Sequence, residues 1–355
     1  MKHRSRVVAL GLTIALVTLG LAVAANGAVH SGTAVPPGYK GVEAKLPTSY
    51  KRPAKKAGTR CTIGYQNPIA ANDTLLAWQQ ALIKQARVFG CKVIALDDAL
   101  SPDKQVTNMQ QLLAQHVNVI VFYPLDPKAT IPVLKQAKAR HVPVLAVDAT
   151  FGSPNATAPY LPYITSQVWQ GRDIQAWLQA KQMAAVAPHA KVGLIGIGAP
   201  VPALKYLTQR QTFWAKKFGL SIVDERDNAT DDVTGGEKAA NGLLQRNPDI
   251  TAVMGYNDPS AIGAATAARG AGRKITSMGI NGSSEGITAL KAGQIAATVQ
   301  VDSPGWGIQQ AYAAYDLITK QNLPLPKIVV LPSRLVTKAN VNKIKSWAAE
   351  IKAIH

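Results

Sequence analysis

The sequence predicts an α/β protein of two successive lobes, each a doubly wound parallel sheet. Three observations carry this. From residue 59 onward, short apolar runs alternate with amphipathic helices over short connections, as strands covered on both faces require. The rhythm breaks at a Pro- and Gly-containing stretch over 151–162 and then resumes. Three of the predicted strands end in Asp148, Asn257-Asp258 and Asn281. Ligands of open α/β sheets bind outside the carboxyl ends of the strands, so these tips imply a hydrogen-bonding pocket for a polyhydroxylated ligand.

The elements follow in order. The strand over 61–65 leads to a helix over 74–89, the strand over 92–95 to a helix over 103–115, and the strand over 119–122 to a helix over 130–140. The strand over 142–147 closes this half. The second half opens with a helix over 167–187 and a strand over 191–197, then a helix over 203–218 and a strand over 220–223. A helix over 235–246 precedes the apolar strand over 251–256. Pro259 then opens the helix over 260–269 from its first turn. The strand over 275–280, the helix over 284–292 and a last strand over 296–301 complete the pattern.

The chain has 355 residues, 47% of them hydrophobic, enough for two domains. Residues 1–28 read as a signal peptide: basic Lys2, Arg4 and Arg6, an apolar run over 7–23, and small residues at Ala22 and Ala24. The protein is therefore expected in an oxidising, exported location, the periplasm. No Cys directly follows the apolar run to carry a lipid. The net charge of +19 is spread out, apart from Lys45, Lys51, Arg52, Lys55, Lys56 and Arg60. All but Arg60 lie in residues 29–58, read as a basic, extended, partly disordered leader, a solvated charge run rather than a nucleic-acid surface. An electrostatic contact with an anionic envelope surface is the sharper reading of the cluster. The two cysteines, Cys61 and Cys91, stand at the starts of predicted strands that are often neighbours in a βαβ unit. A disulfide is expected there, and a metal site is not, because no His lies near them.

Catalytic groupings are scarce. Gly282-Ser-Ser-Glu-Gly286 fits the nucleophile-elbow pattern, but a serine hydrolase needs a later His, and the one that follows is the terminal His355. Gly193-Leu-Ile-Gly-Ile-Gly198 resembles a dinucleotide turn whose glycines fall inside the strand. The six histidines show no metal-ligand spacing, and no cofactor is expected. Of the six tryptophans, Trp78, Trp177 and Trp214 read as core, whereas Trp306, after Pro304-Gly305, is the better pocket candidate.

The order of Pro124-Leu-Asp-Pro127, the strand ending in Asp148, Asn247-Pro-Asp249, Asn257-Asp258, Gly279–Gly282 and Val336-Thr-Lys-Ala-Asn-Val341 resembles the type I periplasmic binding proteins, in particular the ribose- and galactose-binding branch that serves sugar ABC transporters. That resemblance implies two Rossmann-like lobes joined by a multi-segment hinge. The lobes are expected over 59–163 plus 303–330 and over 164–302 plus 331–355, with hinge crossings near 160–166, 301–304 and 330–332. It implies ligand contacts at Asn72, Asp148, Arg210, Asp231, Asn257, Asn281 and Asp302, with Trp306 beside them. Thr74 and Leu75 stand where the family has aromatics, Ala149 replaces a basic residue, and Asp231 stands where an aromatic is frequent. The loss of stacking faces favours a smaller polyol, or a ligand carrying positive charge, over a plain pyranose.

The implied protein is a monomeric solute-binding protein that is not an enzyme. It delivers its ligand to an ABC-transporter permease or presents it to a chemoreceptor or sensor kinase. A transcription regulator with the same core would carry a helix-turn-helix where this chain has its apolar run.

Overall fold

In the computed structural model, which describes residues 35–149 and 161–355, the chain forms two six-stranded sheets. The predicted signal peptide and most of the stretch over 151–162 lie outside the described residues. The first half runs β1 (Cys61–Asn67), α1 (Asp73–Val88), β2 (Cys91–Asp97), α2 (Pro102–Ala114), β3 (Val119–Phe122), α3 (Pro127–Ala139), β4 (Val144–Val147) and β5 (Ser166–Trp169). The second runs α4 (Arg172–Val186), β6 (Lys191–Ile197), α5 (Pro202–Lys217), β7 (Ser221–Asn228), α6 (Val233–Arg246), β8 (Ala252–Gly255), α7 (Asp258–Gly270), β9 (Thr276–Asn281), α8 (Ser284–Ala292) and β10 (Ala297–Val301). Then come α9 (Ser303–Thr319), β11 (Ile328–Val330), β12 (Ser333–Thr337) and α10 (Trp347–Lys352).

The first sheet has the order β11-β5-β4-β3-β1-β2 and is parallel throughout. The second has the order β12-β10-β9-β8-β6-β7, with only β12 antiparallel. Every residue of β3, β4 and β8 is buried, as strands covered on both faces require. The helices start where the sequence places capping side chains. Asn72, Ser101, Asp126, Asp232, Asn257, Ser283 and Asp302 each accept from an N–H of the first turn that follows. Cys61 and Cys91 are register partners at the starts of β1 and β2 and are joined by the expected disulfide.

Three expectations change. First, the segment over 167–169 is strand, not helix. β5 pairs with β4, and the chain leaves the first lobe at Gln170-Gly171, not at 163. β5 is fully buried and reads Ser-Gln-Val-Trp, so its periodicity cannot be separated from that of the helix behind it. Second, the tail changes: α9 packs on α1 of the first lobe, β11 extends the first sheet and β12 the second, with crossings near Asp302 and at 331–332. The tail then returns, since α10 packs on α1 and α9 rather than staying with the second lobe.

Third, the leader is not a loose solvated run over its described part, 35–58. Tyr39, Glu43 and Tyr50 are buried. Tyr39 packs edge-on against Trp177 of α4 and donates to Asp173 at 2.7 Å, both in the second lobe. The carbonyl of Pro47 accepts from Val330 of β11 at 2.8 Å, while the Tyr50 backbone N–H donates to Gln309 of α9 at 2.6 Å. Lys56 donates to Tyr315 of α9. The segment is thus a strap running from the second lobe, past the hinge, onto the first. Its lysines stay exposed, but its two aromatic residues, Tyr39 and Tyr50, eleven positions apart, find pockets that no local periodicity announces.

Candidate functional site

The carboxyl ends of both sheets face each other across a cleft. It holds a small cavity, about 70 Å³, lined from both lobes. Its polar lining comprises Asn72, Thr74, Tyr123, Gln170, Arg172, Asp231, Tyr256, Asn257 and Asn281. Leu75, Leu100, Leu125, Ile197, Val201, Leu204 and Trp306 supply much of the apolar wall.

Asn72 is placed by its cap. Its Oδ1 accepts from the N–H groups of Thr74 and Leu75 at 3.0 and 3.3 Å, which leaves Nδ2 to reach across the cleft to Asp231 at 2.9 Å. Asp231 sits in the β7–α6 turn at φ +59, a left-handed conformation that Asp tolerates. Besides Asn72, its carboxylate accepts from the Tyr256 hydroxyl and from Asn257 Nδ2 at 2.7 Å. Asn257 in turn caps α7 through Ser260 N–H at 2.9 Å. Burial pushes the Asp231 carboxyl above its ordinary range, while the Tyr256 and Asn72 donors pull it back. Asn281 ends β9 at φ +115, and its amide has no hydrogen-bond partner among the described residues.

Three expected contacts land elsewhere. Asp148 is buried but does not line the cavity. Its Oδ2 accepts from Arg172 at 2.6 and 2.8 Å, and its Oδ1 from the Gln170 N–H at 2.9 Å. Arg172, unnoticed in the sequence, takes the place in the cavity wall that Asp148 was expected to hold. Its Nη1 also reaches Gln175 at 3.1 Å and its Nη2 the Tyr123 hydroxyl at 3.4 Å. Arg210 is drawn away from the cleft: its guanidinium pairs with Asp173 and lies 4.0 Å over the Phe213 ring. Asp302 caps α9 through Gly305 N–H at 2.9 Å and is not in the cavity wall. Trp306 does line the cavity, as a buried ring set edge-on to Trp78. The sequence signal for Arg172 was a basic residue at the first position of a helix that follows a strand tip, but that strand was not recognised.

The mouth of the cleft is acidic. Asp73, Asp231, Asp232 and Glu285 share it. Burial raises the Glu285 carboxyl, and repulsion from Asp73, Asp231 and Asp232 raises it further. The elbow-like serine motif has a structural role: Ser283 donates to buried Asp258 at 3.0 Å and accepts from the Gly286 N–H at 3.0 Å. His355 ends the chain beside the strap, where its carbonyl accepts from Arg52. No group of three or more His, Cys, Asp or Glu placed to hold a metal occurs among the described residues.

Comparison with known proteins agrees with this architecture. The chain is 24% identical over 300 residues to the ribose import binding protein of Bacillus subtilis (strain 168), covering 82% of this chain and 92% of that one. It is 24% identical over 259 residues to the xylitol-binding protein of Mycolicibacterium smegmatis, covering 67% and 66%. A solved ABC transporter solute-binding protein from Bacillus halodurans with bound myo-inositol superposes with a TM-score of 0.72 at 19% identity, over 84% of this chain and all of that one. Residues 63–322 match the family described as periplasmic binding protein domain, and two sheets meeting at a cleft are what such a domain requires: this chain belongs to the periplasmic binding protein family.

Proposed function

We propose that this protein binds a small sugar or polyol in the interlobe cleft and delivers it to an ABC-transporter permease in the cell envelope. The observation that carries the reading is the cavity wall. Amides, a carboxylate and a guanidinium from both lobes converge at strand and helix ends, the donor and acceptor set that hydroxyl-rich ligands need. The ribose, xylitol and myo-inositol relatives support the class. The protein acts by closing and opening and catalyses nothing; it works as a monomer after its first residues are removed near 24–28.

Isothermal titration with D-ribose, xylitol and myo-inositol tests the class. Saturable binding of at least one is expected, and binding of none would sink it. Mass analysis of the protein from its own host checks the removal of residue 1. The acidic mouth supports a second reading, a ligand carrying positive charge. An amino polyol outcompeting the neutral ones would favour that reading.

A further inference from the structure

The helix α4 begins without a cap of its own. Its N-cap position is Gly171, at φ +68, which has no side chain to accept the first N–H groups. Such orphan donors, if buried, must be met from elsewhere. They are met by Glu43 of the strap, 130 or more positions earlier. Its Oε1 accepts from the Asp173 N–H at 3.1 Å and its Oε2 from the Ile174 N–H at 2.9 Å. The same carboxylate also accepts from Trp169 Nε1 at the end of β5. Glu43 therefore grips the crossing Gln170-Gly171 from both ends, one in each lobe. It does not line the cavity.

On the cavity side the same crossing is held by a second buried carboxylate. Asp148 accepts from Gln170 N–H and from Arg172, the first residue of α4. The backbone that presents Arg172 to the ligand is clamped between two acids, one from the first sheet and one from the strap. Nothing else in the strap bonds to this turn so directly. The Tyr39 hydroxyl reaches only the Asp173 side chain, at 2.7 Å.

We propose that Glu43 is a positioning residue of the binding site: by capping α4 it holds the hinge crossing so that Arg172 faces the ligand, and it ties ligand affinity to the docked strap. This rests on the cleft being the binding site, and the strap segment becomes a working part of that site. An amide in its place keeps one acceptor and turns an NH2 donor toward one of the two N–H groups that the carboxyl oxygens now meet.

The test is a double-mutant cycle with Glu43→Gln and Arg172→Gln, read by titration with D-ribose, xylitol and myo-inositol and by amide hydrogen exchange. Glu43→Gln is expected to weaken the binding of whichever probe the wild type binds by about tenfold, the loss typical of a cap. It should speed exchange at the Asp173 and Ile174 amides by a similar factor. If Glu43 acts through Arg172, its effect nearly vanishes in the Arg172→Gln background. Full additivity, or a stability loss with unchanged affinity and exchange, overturns the proposal. Should Glu43→Gln fail to fold, Tyr39→Phe, which loosens the strap at its other anchor, is expected to shift affinity in the same direction by a smaller factor; no shift overturns it. If the wild type binds none of the probes, the ligand class is wrong, but exchange at residues 173 and 174 still decides the role of Glu43, and unchanged exchange overturns it.

Discussion

Asp231 takes donors from Asn72, Tyr256 and Asn257, and Asn72 comes from the opposite lobe. Replacing it by Ala would leave two buried donors, on Tyr256 and Asn257, and the half-buried Asn72 amide without this acceptor, each buried one costing about 1–3 kcal/mol when unmet. Asp231→Ala is therefore expected to weaken ligand binding at least ten- to a hundredfold, as titration with the probe sugars would show. A second residue-level expectation concerns pH. Burial raises the Glu43 carboxyl from 4.5 to about 7, against the pull of Trp169 and the Asp173 and Ile174 N–H groups. Burial likewise raises Asp258 from 3.8 to about 7, against its bonds from Thr298 and Ser283. In both, the folded state keeps a proton that the unfolded chain has released, so their contribution is greatest below the unfolded values and falls as pH rises through about 7. Each group adds a slope of up to about 1.4 kcal/mol per pH unit inside that window. Urea midpoints at about pH 5 and pH 8 check this: the wild type should lose more stability across that range than Glu43→Gln. Tyr39, Asp173 and Tyr206 also face Glu43, and equal slopes in the two proteins would assign the pH effect to other groups.

Between elements, two contacts invite direct tests. The Cys61–Cys91 bond ties the starts of β1 and β2 and closes a loop of 30 residues, worth roughly 3 kcal/mol in the chain-entropy account. Cys61→Ser with Cys91→Ser should lower stability by about that amount in denaturant titrations, while leaving the wild type insensitive to thiol reagents until reduced. The helices α6 and α7 approach through glycine. A Cβ on Gly263 would lie 2.3 Å from the Glu237 backbone N and 2.5 Å from the Val233 carbonyl. Backbone cannot yield as a flexible side chain can, so Gly263→Ala should cost about 1–3 kcal/mol or more. A melting temperature equal to the wild type would mean the helices separate freely. Asn72, Asp232 and Asn257 each cap the helix that directly follows them, a local arrangement. The helix α9 was missed although its cap and Pro304 were in view, since most of its residues are buried and its apolar pattern has no polar face to set against it.

At the scale of the whole molecule, the lobes meet across the cleft through Asn72 with Asp231 and through the Ser284 N–H with Asp73 at 2.9 Å. Those contacts describe a closed form. Ligand-free protein in solution is expected to have a larger radius of gyration than the complex, and scattering with and without the bound probe would detect it. Equal radii would mean a cleft already shut before ligand arrives. The sequence by itself determined the two α/β lobes, the paired cysteines and most of the strand tips, because strand and helix periods and cap residues are local signals read over a few positions. Asn257 and Asn281 reach the cleft for that reason, because a strand tip lies at the carboxyl edge of its sheet; Asn72 and Asp231 were implied by the family resemblance and line it too. Only the tertiary structure decided which charged side chains turn inward. Asp148 is claimed by Arg172 and Arg210 by Asp173, and Glu43 reaches a helix it meets only after the whole chain has folded. A charge goes where a buried partner offsets its desolvation, and those partners are distant in sequence, so no window of local residues could contain them.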